Sequence, residues 1–265
     1  MDEIFLKNRE SGKVLVFGHR GYSQLYPENT MLSFDACAKN PQVDGVELDV
    51  HLCKSGEVVV AHDFSLMRTA GVNKEIEELT LSELRAIDVG SFKGAEFSDA
   101  RVPLLEELLG TYGNRFIYDI ELKVKAGKVN TQLCKKTLDV IRKCNVQSSV
   151  MVSSFNPFAL GKFGRLCKHS MPCADIFCKA NDVPRSLWNG AGHIVSHSSY
   201  LKPQYSQVDE KFLSSHWNLP VITWTVNSTD EAKRLVSFNN EEKGMRVYGL
   251  IGNDPCLIAQ AIEKV

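Results

Sequence analysis

The chain has 265 residues and a mass of 29.6 kDa, with 31 Lys+Arg against 32 Asp+Glu and a formal net charge of −1. No basic excess is left to hold a nucleic-acid backbone, so a nucleic-acid partner is not expected. With 43% hydrophobic and 24% charged residues the chain is not disordered, and its length allows two small domains or one large one such as a barrel. The first residues, Met1-Asp2-Glu3-Ile4-Phe5, carry early acids and no apolar core. No run approaches the roughly 18 apolar residues of a spanning helix. Neither a leader peptide nor a membrane span is therefore expected, and the cytoplasm is the default compartment. The eight cysteines include no C-x-x-C pair, and several sit beside aliphatic residues. They read as small buried hydrophobes rather than a disulfide framework.

The first apolar run is Val14–Gly18, ending in His19-Arg20-Gly21, with a helix beginning near Asn29 or Thr30. Gly45–Leu52 alternates: Val46, Leu48, Val50 and Leu52 share one side, Glu47, Asp49 and His51 the other. A turn at Lys54–Glu57 leads to Val58–Ala61 and then His62-Asp63. Residues 65–103 break the rhythm and read as an insertion or lid, with a short helix near Ser82–Ile87. The rhythm returns with strands at Phe116–Lys123, Val150–Phe155, Ala174–Cys178, Ile194–Ser196, Val221–Val226 and Arg246–Ile251. Helices are expected over Val129–Lys143, after Pro157, over Ser206–His216, over Thr229–Phe238 and from Pro255.

Strands alternating with helices over this length predict an α/β fold: a (β/α)₈ TIM barrel with a small insertion after the second strand unit. One domain over 1–265 is expected, with the motif-bearing region at about 14–263 and no long linker.

In such a barrel, chemistry collects where strands end. His19 and Arg20 end the first strand, Glu47 and Asp49 the second, His62 and Asp63 the return strand, Glu121 and Lys123 the next. Lys179, His197, Trp224, Asn227 and Asp254 fall at later strand ends or exits. Two carboxylates on one strand face repel unless a cation sits between them. Glu47, Asp49 and Glu121 suit one hard divalent ion, Mg²⁺ or Ca²⁺, with Mn²⁺ also acceptable. The plainer alternative pairs Glu47 and Glu121 with Arg20 and Lys123 as structural salt bridges. Two imidazoles beside an arginine and a metal suit phosphodiester cleavage. One takes a proton from the attacking oxygen and the other returns one to the leaving alkoxide. Arg20 and Lys123 would bind phosphate, and Trp224 would wall the alcohol group or pack the barrel. Asp63, His51 and His197 are supporting candidates; His169, His193 and His216 read as structural.

These residues resemble the glycerophosphodiester phosphodiesterase family. His19-Arg20-Gly21, Pro27-Glu28-Asn29-Thr30 and Ser33-Phe34 are similar to its opening motif, and Glu47-Leu48-Asp49-Val50 to its metal-binding strand. Ser55–Asp63 resembles the segment bearing its second histidine, and Ile120-Glu121-Leu122-Lys123 its third ligand-bearing strand. Ser153-Ser154-Phe155 and Thr223–Asn227 continue the match in order, over about 18–260. The resemblance implies hydrolysis of small-molecule glycerophosphodiesters to glycerol 3-phosphate and an alcohol. It implies His19 and His62 as acid/base residues, Glu47, Asp49 and Glu121 as metal ligands, and Arg20 and Lys123 at phosphate positions. Glu28 is implied to lie near the metal or substrate. A substrate hydroxyl is implied to attack first, giving a cyclic phosphate that water opens. The last strand departs from the family's Thr-Asp-x-Pro turn: here it reads Gly252-Asn253-Asp254-Pro255.

Two other functions fit the chain. One is a lysophospholipase D on the same scaffold, which needs an apolar groove; Phe64, Leu66, Met67, Phe92 and Phe97 of the insertion offer one. The other is a non-catalytic sugar-phosphate-binding barrel, which the retention of both histidines and all three acids disfavours.

Overall fold

The structure is a computed structural model that describes residues 12–181, 183–240 and 244–263. The leader-peptide expectation falls on residues outside these. Strands β1 (Leu15–His19), β2 (Gly45–Leu52), β3 (Val58–Val60), β4 (Ile117–Leu122), β5 (Val150–Ser154), β6 (Cys173–Phe177), β7 (Tyr200–Pro203), β8 (Val221–Thr223) and β9 (Val247–Gly252) form one sheet. All pairings are parallel except that of β3, which returns antiparallel along β2. β1 pairs with both β2 and β9, which closes the sheet into the eight-stranded parallel barrel expected. Closure leaves no parallel strand with an unpaired edge.

Helices α1 (Met31–Ala38), α2 (Met67–Ala70), α3 (Leu81–Arg85), α4 (Leu105–Tyr112), α5 (Thr131–Lys143), α6 (Pro157–Leu166), α7 (Gly192–Ser196), α8 (Glu210–Ser215), α9 (Thr229–Val236) and α10 (Pro255–Ile262) follow in chain order. Their starts are written locally. Thr30 and Ser33 exchange capping hydrogen bonds at α1. Asn156 caps α6 and Asp254 caps α10, each followed by a proline whose missing N–H costs nothing there.

Alternation along the strands sorts residues into two layers. Val46, Leu48 and Val50 face outward and pack with Phe34, Leu133 and Leu160 under the helices. Leu15, Phe17, Met151, Ala174, Tyr200 and Ile222 meet inside the barrel. The same inward-facing series continues into polar residues toward the strand ends: His19 on β1, Glu47 and Asp49 on β2, Asp119 and Glu121 on β4, Ser153 on β5 and Lys202 on β7. Register aligns them, with Glu47 beside both His19 and Asp119, and Asp49 beside Glu121.

Residues 65–103 carry α2 and α3 around their own apolar cluster, in which Leu66, Ile76, Leu84 and Val102 pack on Val59 of β3. Among the described residues no disulfide joins the cysteines, and most of them are buried.

The structure corrects the sixth strand. Ile194–Ser196 lies in helix α7, and β7 starts at Tyr200. The β-branched pair Ile194-Val195 has high strand propensity, yet both are exposed on the helix, at 67% and 43%. Ser196 Oγ bonds back to the Gly192 carbonyl at 3.0 Å, and His197, in the left-handed conformation, ends the helix.

Candidate active site

β1 delivers His19 and turns sharply. Gly21 sits at φ +80°, where an added Cβ would come within 2.3 Å of Ser33 Oγ, so only glycine fits the turn against α1. Arg20 is itself left-handed at φ +55°, and its backbone N–H donates to Glu47 Oε2 at 3.1 Å. The strained turn thus aims the Arg20 side chain back over the barrel.

The His19 Nδ1 lies 2.7 Å from Asn253 Oδ1, and Ser23 Oγ also donates to that oxygen at 3.2 Å. The amide oxygen can only accept, so Nδ1 carries the proton and Nε2 presents its lone pair. Nε2 lies 3.9 Å from Glu47 Oε2. Burial, helped by the Arg20 charge, pushes the His19 pKa down to about 3 and keeps the ring neutral. Asn253 is held by Asn227 Oδ1, which accepts from its backbone N–H at 3.0 Å. Gly252 before it admits no side chain, since a Cβ would meet the Val226 carbonyl oxygen at 2.2 Å.

Glu47, Asp49 and Glu121 are buried, and one carboxylate oxygen of each lies within 4.8 Å of the others. Burial, reinforced by the Asp49 charge and offset by Lys202, pushes the Glu47 carboxyl up to about 8. Burial opposes ionisation of Asp49 too, but Lys123, His62 and Arg20 outweigh it and hold that carboxyl well below the usual range. Lys123 Nζ bridges Asp49 at 2.9 Å and Glu121 at 2.6 Å. Arg20 Nε stands 3.5 Å from Asp49 Oδ2, while Asn29 Nδ2 donates to the same oxygen at 2.8 Å. An all-oxygen set of three buried carboxylates, one resisting ionisation without a cation, fits a hard divalent ion.

His62 Nδ1 donates to Asp63 Oδ1 at 2.6 Å. The His51 ring supports this loop, its Nε2 3.2 Å from the His62 carbonyl oxygen. Glu28 accepts from Arg20 at 2.9 Å and also binds Arg68.

A cavity of about 740 Å³ opens over this end of the barrel, and His19, Arg20, Glu47, His62, Glu121, Lys123 and Trp224 all line it. Trp224 donates its indole N–H to the Lys202 carbonyl at 2.9 Å and packs edge-on to Phe155. The structure therefore gathers the sequence candidates at one end, either on the cavity or, for Asp49, Asp63 and Glu28, one polar contact behind it. His197 is the exception. It follows α7 and precedes β7, so it sits at the opposite end of the barrel, exposed, with its ring facing His169. Of the insertion's apolar residues only Phe64 reaches the cavity; Leu66 packs inside the insertion itself. The apolar wall comes instead from Val124, Phe155, Phe158, Val183, Pro184 and Leu187.

Three groups escaped the sequence. Lys202 is 1% exposed, with Nζ 2.7 Å from Asp119 and 3.6 Å from Glu47, and it donates to Ser153 at 3.2 Å. It was hidden by the misplaced sixth strand. Asp119 shares the face of Glu121, a signal that alternation carries. Asn253 stood in the sequence only as a departure from a family turn.

The model of the glycerophosphoryl diester phosphodiesterase family matches residues 19–251. A glycerophosphodiester phosphodiesterase of Caldanaerobacter subterraneus is 28% identical, covering 95% of this chain and 99% of its own. A phosphodiesterase of Oleispira antarctica, solved in complex with the product sn-glycerol-3-phosphate, superposes with a TM-score of 0.80 at 25% identity, covering 96% of this chain and 99% of its own. The human protein named lysophospholipase D GDPD1 is 38% identical over 48% of this chain and 40% of its own. Fold, site and matches define a class: enzymes that hydrolyse phosphoric diesters on a barrel. The chain belongs to the glycerophosphoryl diester phosphodiesterase family.

Proposed function

We propose that the site hydrolyses glycerophosphodiesters to sn-glycerol 3-phosphate and an alcohol, with one divalent cation held by Glu47, Asp49 and Glu121 and protons moved by His19 and His62. The observation that carries this reading is the convergence of two imidazoles on one cavity beside a buried three-carboxylate cluster. When bound, Mg²⁺, Ca²⁺ or Mn²⁺ supplies Lewis-acid polarisation of a phosphoryl oxygen. The His19 Nε2 lone pair suits it to take the proton of the glycerol hydroxyl beside the phosphate as that oxygen bonds to phosphorus and the alcohol oxygen leaves. Water then opens the resulting cyclic phosphate to glycerol 3-phosphate. His62, whose ring Asp63 orients by accepting from Nδ1, suits the opposite role and gives a proton from Nε2 to the departing alkoxide. Arg20 and Lys123 offset charge on the phosphoryl oxygens.

The test measures turnover of glycerophosphocholine, glycerophosphoethanolamine and glycerophosphoglycerol by coupled oxidation of glycerol 3-phosphate, with and without EDTA. His19→Ala and His62→Ala are each expected to lower kcat by about 10²–10⁴-fold. Absence of metal-sensitive turnover, or wild-type rates in both variants, rejects the reading.

A second reading, lysophospholipase D activity, is favoured by the apolar cavity wall, on which Phe158 is 59% exposed. Its substrates would lay an acyl chain along Phe155, Phe158 and Leu187. Phe158→Asp would then raise KM for lysophosphatidylcholine while leaving KM for glycerophosphocholine nearly unchanged. Equal effects on both substrates dismiss it.

A further inference from the structure

One guanidinium from the insertion ties together two parts of the site that the barrel strands do not connect. Arg68 lies on α2, a single helical turn ended by left-handed Gly71. Its Nε donates to Asp63 Oδ2 at 2.7 Å. Its two terminal nitrogens grip Glu28, one at 3.0 Å on Oε2 and the other at 2.6 Å on Oε1. Each carboxylate also holds a group on the cavity: Asp63 takes His62 Nδ1 at 2.6 Å on its other oxygen, Oδ1, and Glu28 takes Arg20 at 2.9 Å on Oε1, the oxygen it shares with Arg68. The result is an unbroken chain, His62–Asp63–Arg68–Glu28–Arg20.

We infer that Arg68 is a positioning residue for hydrolysis, which sets the His62 ring through Asp63 and the Arg20 guanidinium through Glu28. The inference rests on the proposed roles of His62 and Arg20. Three features support it. Every nitrogen of the Arg68 fork is used, and the fork's fixed plane transmits orientation from one carboxylate to the other. Among the described residues Arg68 is the only side chain of the insertion paired with Glu28, so it also fastens the insertion beside the cavity. Its side chain is 46% exposed, and ion pairs so exposed add little to stability. A group in that setting that joins two carboxylates serves geometry more than folding. Without it, Asp63 keeps only its His62 contact and is free to rotate, and Glu28 keeps only Arg20, which it draws away from the phosphate.

The experiment compares the full-length protein with Arg68→Met, Arg68→Lys, Asp63→Asn and the Arg68→Met/Asp63→Asn double variant, at saturating Mg²⁺ on glycerophosphocholine. It reads kcat, KM and thermal midpoint. Arg68→Met is expected to lower kcat about 10–100-fold with its thermal midpoint unchanged, the scale of a catalytic group misplaced by about 1 Å. The double variant is expected to fall no further than the worse single one, because both break the same chain. Lysine at 68 keeps the charge but grips one carboxylate instead of two, so it recovers only part of the loss. Guanidinium ion added to Arg68→Met should also recover part of it. Wild-type kcat in Arg68→Met, full recovery by lysine, or losses that multiply in the double variant overturn the inference. If Arg68→Met fails to fold, Arg68→Gln with the same guanidinium rescue decides it: rescue supports, no rescue overturns. His62→Ala run alongside separates the two readings. Undiminished turnover there rejects the role of His62 itself, whereas a normal loss with intact Arg68→Met turnover rejects only that of Arg68.

Discussion

Asn253 accepts a hydrogen bond from His19 across 234 residues of chain, at 2.7 Å. A neutral amide in this place orients the ring and selects its tautomer without adding a charge that would favour the imidazolium. Removing it frees the ring to rotate and to carry its proton on either nitrogen. Asn253→Ala is therefore expected to lower kcat about 10–100-fold with little change in KM. Steady-state kinetics on glycerophosphocholine check this, and an unchanged kcat would show that ring orientation comes from elsewhere.

The carboxylate cluster predicts a measurable coupling between metal and stability. A ligand that binds only the folded chain at 100 times its dissociation constant adds about 2.7 kcal/mol. Mg²⁺ or Ca²⁺ is expected to raise the thermal midpoint of EDTA-treated protein, and Asp49→Asn to abolish that rise. A rise that persists in Asp49→Asn would place the ion elsewhere.

Lys202 is the cation between Asp119 and Glu47 inside the barrel. Burial opposes its charge, but the Asp119 and Glu47 carboxylates outweigh burial and raise its pKa. Lys202→Met leaves those acids uncompensated, and breaking a buried pair from one side costs about 3–5 kcal/mol. Urea denaturation should show a loss of that order, partly recovered in Lys202→Met/Asp119→Asn. A loss under about 1 kcal/mol would mean that water already reaches the pair.

Asp175 gives a pH dependence away from the site. It is 2% exposed on β6, and burial pushes its carboxyl up to about 8, only partly offset by a hydrogen bond from the His193 backbone. The folded chain thus holds a proton there that the unfolded chain releases near its ordinary carboxylate pKa. Stability from this group is complete below about pH 4 and is lost as pH rises toward about 8. The slope in that window is at most about 1.4 kcal/mol per pH unit. Asp175→Asn is expected to flatten it and to be more stable than the natural chain at pH 8. Parallel denaturation curves for the two proteins across that range would contradict the assignment.

The barrel was legible because a parallel strand has a short, strongly apolar signature and its inward face alternates. Glu47 and Asp49 stood out as two charges where Val46, Leu48 and Val50 demand burial. The segment 192–203 was not legible by the same rule. Ile194-Val195 favours a strand locally, but Gly192 must pack against Asp175, whose Oδ1 would lie 2.4 Å from a Cβ there, and the chain turns as a helix instead. Lys202 was lost with it. Asn253 and Arg68 show a different limit: their partners His19, Asp63 and Glu28 are selected by the closed barrel and its insertion, not by neighbouring sequence.

The Lys202 contacts also bear on how the chain assembles. β1, β2 and β4 bring Glu47, Asp49, Asp119 and Glu121 inward with only Arg20 and Lys123 to answer them, whereas Lys202 arrives from β7. Up to the end of β4 the chain has brought four inward acids and two of their cations, and Lys202 is still to come. The second half of the barrel thus supplies a counter-charge that the first half lacks, and electrostatics favours the joining of the two.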